Sequence, residues 1–552
     1  MPAPYEAILH NLRQAFPQPV SDRVHDAYFV FSFLRALDQV DALKSVTPLL
    51  GTQRELDYET ARTKVMGDAP QHLETVVADL VKHLEGMFIF GHPKSQINVV
   101  PAPTIPSIIG GLLPSIYNPN LVSDESSRQV AVAEVEVSAM SASLLGYDPQ
   151  QAAGIFTFGG TSTLLYGLKI GLEKACPGTM KKGISEPAVV FCSEQAHYAC
   201  RTAVAWLGLG EDRLIEIPST PENEIRTCLL ETEMRRVVNE GTKIAGIVAT
   251  MGTTDAFGLD DLEAICQMRD DLVHEFSLDY IPHIHADAVI GWAWSAFNDY
   301  NFERNPLGFR HRTVRALAGV QRRIEHLNLA DSLGIDFHKT GFTPYVSSLF
   351  LIKDAHELQR IAKDPASTPY LFHAGQYHPG KYTLETTRSG AGPLAALANL
   401  SLFGKDGLRS LLGHLVSMAE LLREHLEGHS STVVLNRGNF GPVTLFRVYP
   451  DDVDTFSEPQ KEFHDPRKKE QLRRHNAYNR RIFEIMHDDA IRGEGVVISL
   501  TDCYRETDYG EPIVALKSYI MTPFAEEQYV SAVLESIWKA RDQIERETAP
   551  NG

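Results

Sequence analysis

The sequence predicts an α/β protein with a large, mostly parallel sheet of the seven-stranded type, a smaller C-terminal α+β domain and an N-terminal helical arm. Three observations carry that prediction. Between Glu125 and about Lys405, short β-branched runs alternate with amphipathic stretches, the pattern of βαβ units covered by helices on both faces. After that point a helix and a set of strands follow in a different order, and the first hundred residues carry mainly helical periodicity. The boundaries read as 1–115 for the helical segment, 116–405 for the large domain and 406–552 for the small one.

The elements follow in order. Val24 to Leu37, Tyr58 to Met66 and His72 to Gly86 read as helices, the last clearly amphipathic. From His92 to Pro119 the chain is rich in Pro and Gly, which predicts an irregular arm packed against something larger. AVVFCSE (188–194), DRLIEIP (212–218), KIAGIVATMG (243–252) and IPHIHADAV (281–289) are turn-bounded strands. Residues 296–328, rich in Arg and Asn, look like an insertion, either a lid or a surface elaboration. A helix from Leu408 to Leu426 opens the last domain, strands follow at TVVLN, PVTLFRVY, GVVISL and ALKSYIM, and a helix from Glu526 to Arg546 closes it. Residues 461–481 carry eight Lys or Arg against three acids, which reads as a solvated helix face.

Composition narrows the function classes. With 552 residues, 52 basic and 71 acidic, the formal charge is 52 − 71 = −19, which argues against a nucleic acid partner. Hydrophobic residues make up 43% and no apolar run is long enough to span a bilayer, so no membrane insertion is expected. The opening residues lack the apolar core of a secretory signal, which predicts a cytoplasmic protein. Cys176, Cys192, Cys200, Cys228, Cys266 and Cys503 are irregularly spaced without a CxxC, as expected of reduced thiols.

Four signals carry chemistry. GIFTFGGTST, Gly154 to Thr163, precedes a helical run: Gly160 allows close approach, Thr161 offers a hydroxyl, and the helix start supplies unpaired N–H groups suited to a phosphate. A structural helix cap has the same look. His283, His285 and Asp287 alternate along a strand end, so they face one side either as metal ligands or as packing beside a single functional carboxylate. Lys339 follows His338 in an apolar, turn-rich stretch where desolvation lowers an amine's pKa and readies it for covalent chemistry, unless it is simply a surface Lys. His197 sits at another strand end, where an imidazole lies flat on a planar ring or is merely a bonded structural residue. Together these are the parts that hold pyridoxal 5′-phosphate.

In that order the motifs resemble the group II pyridoxal-phosphate-dependent amino acid decarboxylases, the family of the aromatic amino acid, tyrosine and glutamate decarboxylases. GIFTFGGTS, SEQAHYACRTAVAWLG, IVATMGTTDAFGLDDL, HADAVIGW and DSLGIDFHKTG each look like one of its motifs, over about His92 to Leu400. The resemblance implies fold type I, similar to aspartate aminotransferase, and a homodimer in which the N-terminal segment and the Pro-rich arm complete the partner's active site. It implies that Lys339 anchors the cofactor, Asp287 pairs with its ring nitrogen, His197 stacks on the ring and Gly160 with Thr161 holds the phosphate. Thr250 lies near the ring, His338 belongs to the cofactor site, and Tyr370 in Pro369-Tyr370-Leu371 resembles the loop acid that protonates Cα. Val289, Phe158 and Ser162 depart from the family's Ala, Ser and Glu.

The expected activity is decarboxylation of an L-amino acid to a primary amine. The apolar arm QINVVPAPTIP points to a neutral apolar substrate, while Arg388 reads as a carboxylate ligand or a structural ion pair. The competing readings are a transaminating or aldehyde-forming enzyme of the same fold, and a metal hydrolase built on His283, His285 and Asp287.

Overall fold

The computed structural model describes residues 4–368 and 371–548. Two sheets organise it. Counting strands in chain order, β1 (Ser95–Gln96) belongs with the C-terminal strands. The larger sheet comprises β2 (Ala153–Thr157), β3 (Ala188–Ser193), β4 (Leu214–Ile217), β5 (Lys243–Thr250), β6 (His283–Asp287), β7 (Ser332–Asp336) and β8 (Ser348–Ile352). Its order is β2-β8-β7-β6-β5-β3-β4, and β8 alone runs against the others.

The central strands are apolar along their whole length because both faces are covered: every residue of β3, β6 and β7 is buried. The helix Gly160–Ala175 lies directly on this sheet. A Cβ at Gly171 would come within 2.1 Å of the Ala245 carbonyl oxygen, so glycine is what allows that approach.

The smaller sheet runs β1-β11-β12-β10-β9, with β9 (Thr432–Val434), β10 (Val443–Val448), β11 (Val497–Glu506) and β12 (Pro512–Tyr519). The helices Lys469–Ile491 and Glu527–Thr548 accompany it. β1 joins through a parallel register, Ser95 to Val497 and Gln96 to Ile498, so the N-terminal arm is stitched into the C-terminal sheet. The basic stretch of the Lys469–Ile491 helix faces solvent with acid partners: Arg473 bonds Glu511 and Arg481 bonds Glu547.

Three local expectations need correction. The arm is not irregular throughout, because Ile105–Tyr117 is helical. The Thr104 side chain caps the Ser107 amide and Pro106 sits in the first turn, where its missing N–H costs no helical bond. The helix expected from Leu408 to Leu426 is present and ends at Glu427, but a second helix that was not expected precedes it from Ala391, the two meeting at Gly404, whose φ of 53° is non-helical. Residues 296–328 are neither lid nor surface elaboration. They supply the β6-to-β7 crossover, and the helix His311–Ile324 buries Ala316, Leu317, Val320 and Ile324. Parallel neighbours need such a crossover, so this stretch is scaffold.

Candidate active site

The carboxyl ends of five strands converge, as expected for a ligand crevice in an open α/β sheet. β2 leads through Gly159, at φ 127°, into the helix beginning at Gly160. β3 runs out at Ser193 into the turn that carries His197, β5 ends at Thr250, and β6 ends at Asp287. β7 ends at Asp336, with His338 and Lys339 in the turn beyond. Together they line a cavity of about 180 Å³ that includes Gly160, Thr161, His197, Thr250, Asp287, His338 and Lys339. Every one of those seven was singled out from the sequence. Tyr370 lies outside the described residues.

Two buried polar atoms in this cavity lack a hydrogen-bond partner among the described residues, Asp287 Oδ1 and Thr250 Oγ1. Burial pushes the Asp287 carboxyl up to about 6, against the pull of the Lys339 charge. The His197 ring is held below the ordinary imidazole value, first by burial and then by Lys339. Its Nδ1 accepts the Ala199 amide at 3.1 Å, so in the neutral ring the proton sits on Nε2.

Lys339 reverses its expectation. Burial does work to lower its pKa, but the Asp336 carboxylate, bonded to Nζ at 2.9 Å, and the more distant Asp287 outweigh that and hold it above the ordinary lysine value. Desolvation alone gives the wrong sign when a carboxylate is in contact. Asp336, 1% exposed, belongs to the DFHK motif, which by itself assigns it no role. Its place at the end of a strand, like that of Asp287, was the signal. Tyr345 was also missed: it lines the cavity, and its ring packs on His338 at 4.6 Å between centroids.

A second cavity of about 650 Å³ shares His197, Thr253 and Thr254 with the first and is walled by Cys503 to Glu506 of β11. Nothing in the sequence joined that distant strand to the site. Its wall also carries the carboxylates of Glu194, Glu216 and Asp255. The guanidinium of Arg505 there is engaged with the Thr220 carbonyl at 2.7 Å and Asn223 Oδ1 at 2.9 Å.

Two other candidates resolve as structure. Ser332 Oγ lies 2.8 Å from both His283 Nε2 and His285 Nδ1, and burial lowers the two rings to about 4 and about 3, so both are neutral packing groups. Among the described residues, no group of three or more His, Cys, Asp or Glu is placed to hold a metal ion. Arg388 is no substrate ligand: it is buried, paired with Glu134, and bonded to the carbonyls of Leu121 at 2.7 Å and Phe156 at 2.8 Å.

Residues 58–448 match the model of the pyridoxal-dependent decarboxylase conserved domain. An L-2,4-diaminobutyrate decarboxylase of Rhizobium meliloti (strain 1021) is 28% identical over 351 residues, 62% of this chain and 64% of that protein, so the match spans less than two thirds of the relative's length. The L-2,4-diaminobutyrate decarboxylase of Acinetobacter baumannii is 26% identical over 377 residues, 65% of this chain and 68% of that one. In fold, the chain is similar to the glutamate decarboxylase domain of a diaminobutyrate-pyruvate transaminase and L-2,4-diaminobutyrate decarboxylase from Vibrio parahaemolyticus. That likeness has a TM-score of 0.74 at 18% identity, covering 98% of this chain and 100% of that one.

Proposed function

The chain belongs to the pyridoxal-dependent decarboxylase family, and on that premise we propose that it removes the α-carboxyl group of an L-amino acid, releasing carbon dioxide and a primary amine. One observation carries the reading. A buried carboxylate with an unpartnered oxygen, Asp287, shares one small cavity with the Lys339 amine and the first turn of a helix. Those groups match three of the four polar groups of pyridoxal 5′-phosphate: ring nitrogen, aldehyde and phosphate.

When bound, the cofactor supplies a conjugated ring that takes up the electron pair left on Cα as the carboxyl group departs. Lys339 would anchor it covalently, and Gly160 with Thr161 would hold its phosphate at the helix start. Asp287 would keep a proton on the ring nitrogen by opposite charge, and His197 would stack on the ring. Thr250 and His338 complete the lining. Tyr370 is assigned the proton returned to Cα, on the P-x-Y-L resemblance. Tyr370→Phe is expected to cut amine formation by about two to four powers of ten while cofactor binding holds. Native-rate amine production by that variant would remove Tyr370 from the mechanism.

The second cavity, a vestibule to the first, supports an amine-bearing side chain over the neutral apolar one expected from sequence. Its wall carries four carboxylates and one guanidinium already engaged with backbone and Asn223; Glu216 is paired with Arg201 and Asp255 with Lys517, so the uncompensated negative charge rests on Glu194 and Glu506. An acidic wall attracts a cation and repels a second carboxylate. The diaminobutyrate relatives agree with that choice. The test is a panel of L-amino acids, 2,4-diaminobutyrate, leucine, tyrosine and aspartate among them, assayed for carbon dioxide release. No release from any of them by the cofactor-loaded protein would defeat the decarboxylase reading, and preference for leucine or tyrosine would restore the apolar one.

A homodimer is part of the same proposal. The helix Arg23–Asp41 buries none of its residues, although Val24, Phe31, Leu34 and Leu37 are apolar and exposed. Around the cavity, Phe158, Tyr198 and Tyr345 are likewise exposed. Apolar surface of this extent calls for a cover, and a second copy offers one at the active site. Sedimentation is expected to give twice the 61.4 kDa chain mass, and a fully active monomer would contradict it. The cytoplasm, where the six free cysteines stay reduced, is the proposed compartment; recovery with secreted proteins on fractionation would count against it.

A further inference from the structure

Asp336 does more in the cavity than neutralise a charge. Three elements over-determine its position. It ends β7; Ser348 of β8 donates its hydroxyl to Oδ1 at 2.6 Å; and Gly160 leaves the room in which Oδ2 sits, since a Cβ there would come within 2.9 Å of that oxygen. Oδ2 in turn lies 2.9 Å from Lys339 Nζ and 3.5 Å from His338 Nε2. The carboxylate therefore binds the lysine directly beneath the helix start that is suited to a phosphate.

We propose that Asp336 is a positioning residue that holds Lys339 as a fixed ammonium at the phosphate cup and keeps it in reserve until a cofactor arrives. The inference rests on the pyridoxal phosphate reading above. Because the carboxylate sits at the same helix start, the pair is neutral as a whole and adds no net attraction for a phosphate; what it fixes is the amine's place and its proton. That proton keeps the amine from reacting. To bond the aldehyde carbon, the ammonium Nζ must shed two protons in turn, form the C=N bond and let the aldehyde oxygen leave as water, the third proton staying on the imine nitrogen. Asp336 Oδ2 is the contacting base that receives each of the two protons and returns it to the departing oxygen, so the exchange is balanced.

The neighbours leave this task to Asp336. Asp287 faces Lys339 from β6 and reinforces its charge, while His197 and Tyr345 act on it only at longer range. His338 is held below the ordinary imidazole value by burial, and its Nδ1 rests between the Ser347 carbonyl at 3.2 Å and the Ser347 amide at 3.3 Å. Backbone contacts of both kinds satisfy either neutral tautomer, so His338 adds no fixed charge against the pair.

The test uses the full chain freed of cofactor. Pyridoxal 5′-phosphate is added across a pH series, the adduct is trapped with borohydride, and the Lys339 peptide is quantified by mass. No adduct on wild-type Lys339 would defeat the cofactor reading itself. With the adduct present, Asp336→Asn is expected to move the midpoint of trapping down by more than about one pH unit, since burial is then less opposed. Asp336→Glu should return it towards wild type. An unshifted midpoint in Asp336→Asn, whatever the trapping rate, would overturn the proposal. A measurement without a variant guards against misfolding: in competitive acetylation, wild-type Lys339 is expected to become reactive at a higher pH than the exposed Lys182. Reactivity at the same or a lower pH would overturn the proposal equally.

Discussion

Lys339→Ala is expected to yield a chain that neither retains pyridoxal 5′-phosphate through dialysis nor releases carbon dioxide at a measurable rate. The loss should reach at least about 10⁴-fold, because the substitution removes the covalent anchor and the only amine described in the cavity at once. It also strands a charge. Asp336 is 1% exposed and keeps only Ser348 and His338 once Nζ is gone. An unpaired buried charge costs about 3 kcal/mol or more, so the variant should also melt earlier than wild type. Circular dichroism and sedimentation at the assay temperature separate lost chemistry from lost fold. A folded variant that keeps its visible absorbance and its turnover would sink the assignment of Lys339.

The difference between what was legible in the sequence and what was not has a physical pattern. Strands buried on both faces announce themselves, since AVVFCS and HIHAD leave no exposed side for polar alternation. Site residues at strand ends are legible for a related reason: each follows an apolar run at the carboxyl edge, where the fold gathers ligands. Features decided by contacts between distant segments stay hidden. The vestibule wall from β11 is about 300 residues from His197 in sequence, and no local pattern joins them. The helix within the Pro-rich arm was masked by its own prolines, yet Pro106 sits in the first turn, where an amide is not required.

The sign of the Lys339 shift is the instructive failure. Burial and pairing act in opposite directions on an amine, and sequence reports an apolar neighbourhood far better than a contact. Asp336 stands three residues before Lys339, and only the turn after β7 brings the two side chains to 2.9 Å. A contact hidden from the sequence also explains why the HxHxD motif stayed open between metal ligands and packing. Alternation correctly put His283 and His285 on one strand face, but the shared Ser332 hydroxyl, supplied by the next strand, absorbs both rings.

Asp287→Asn is expected to move two measurements in opposite directions. Buried and lifted to about 6 from an ordinary 3.8, the Asp287 carboxyl binds its proton more tightly in the folded chain than in the unfolded one. Between those two values the folded state therefore carries more protons, so stability of the cofactor-free chain falls as pH rises through that window and stays reduced above it. Asparagine has no charge to bury. The cofactor-free variant should be at least as stable as wild type at pH 7, with a flatter dependence of melting temperature on pH between 4 and 6. Function goes the other way. The variant cannot keep a proton on the ring nitrogen, and losing one partner of a buried charge pair costs about 3 to 5 kcal/mol, or about two to four powers of ten in turnover. Thermal melts of the cofactor-free chains, set beside carbon dioxide release by the loaded ones, test both halves. If Asp287→Asn destabilises the cofactor-free chain and leaves turnover intact, Asp287 is a structural carboxylate and its pairing with the ring nitrogen must be abandoned.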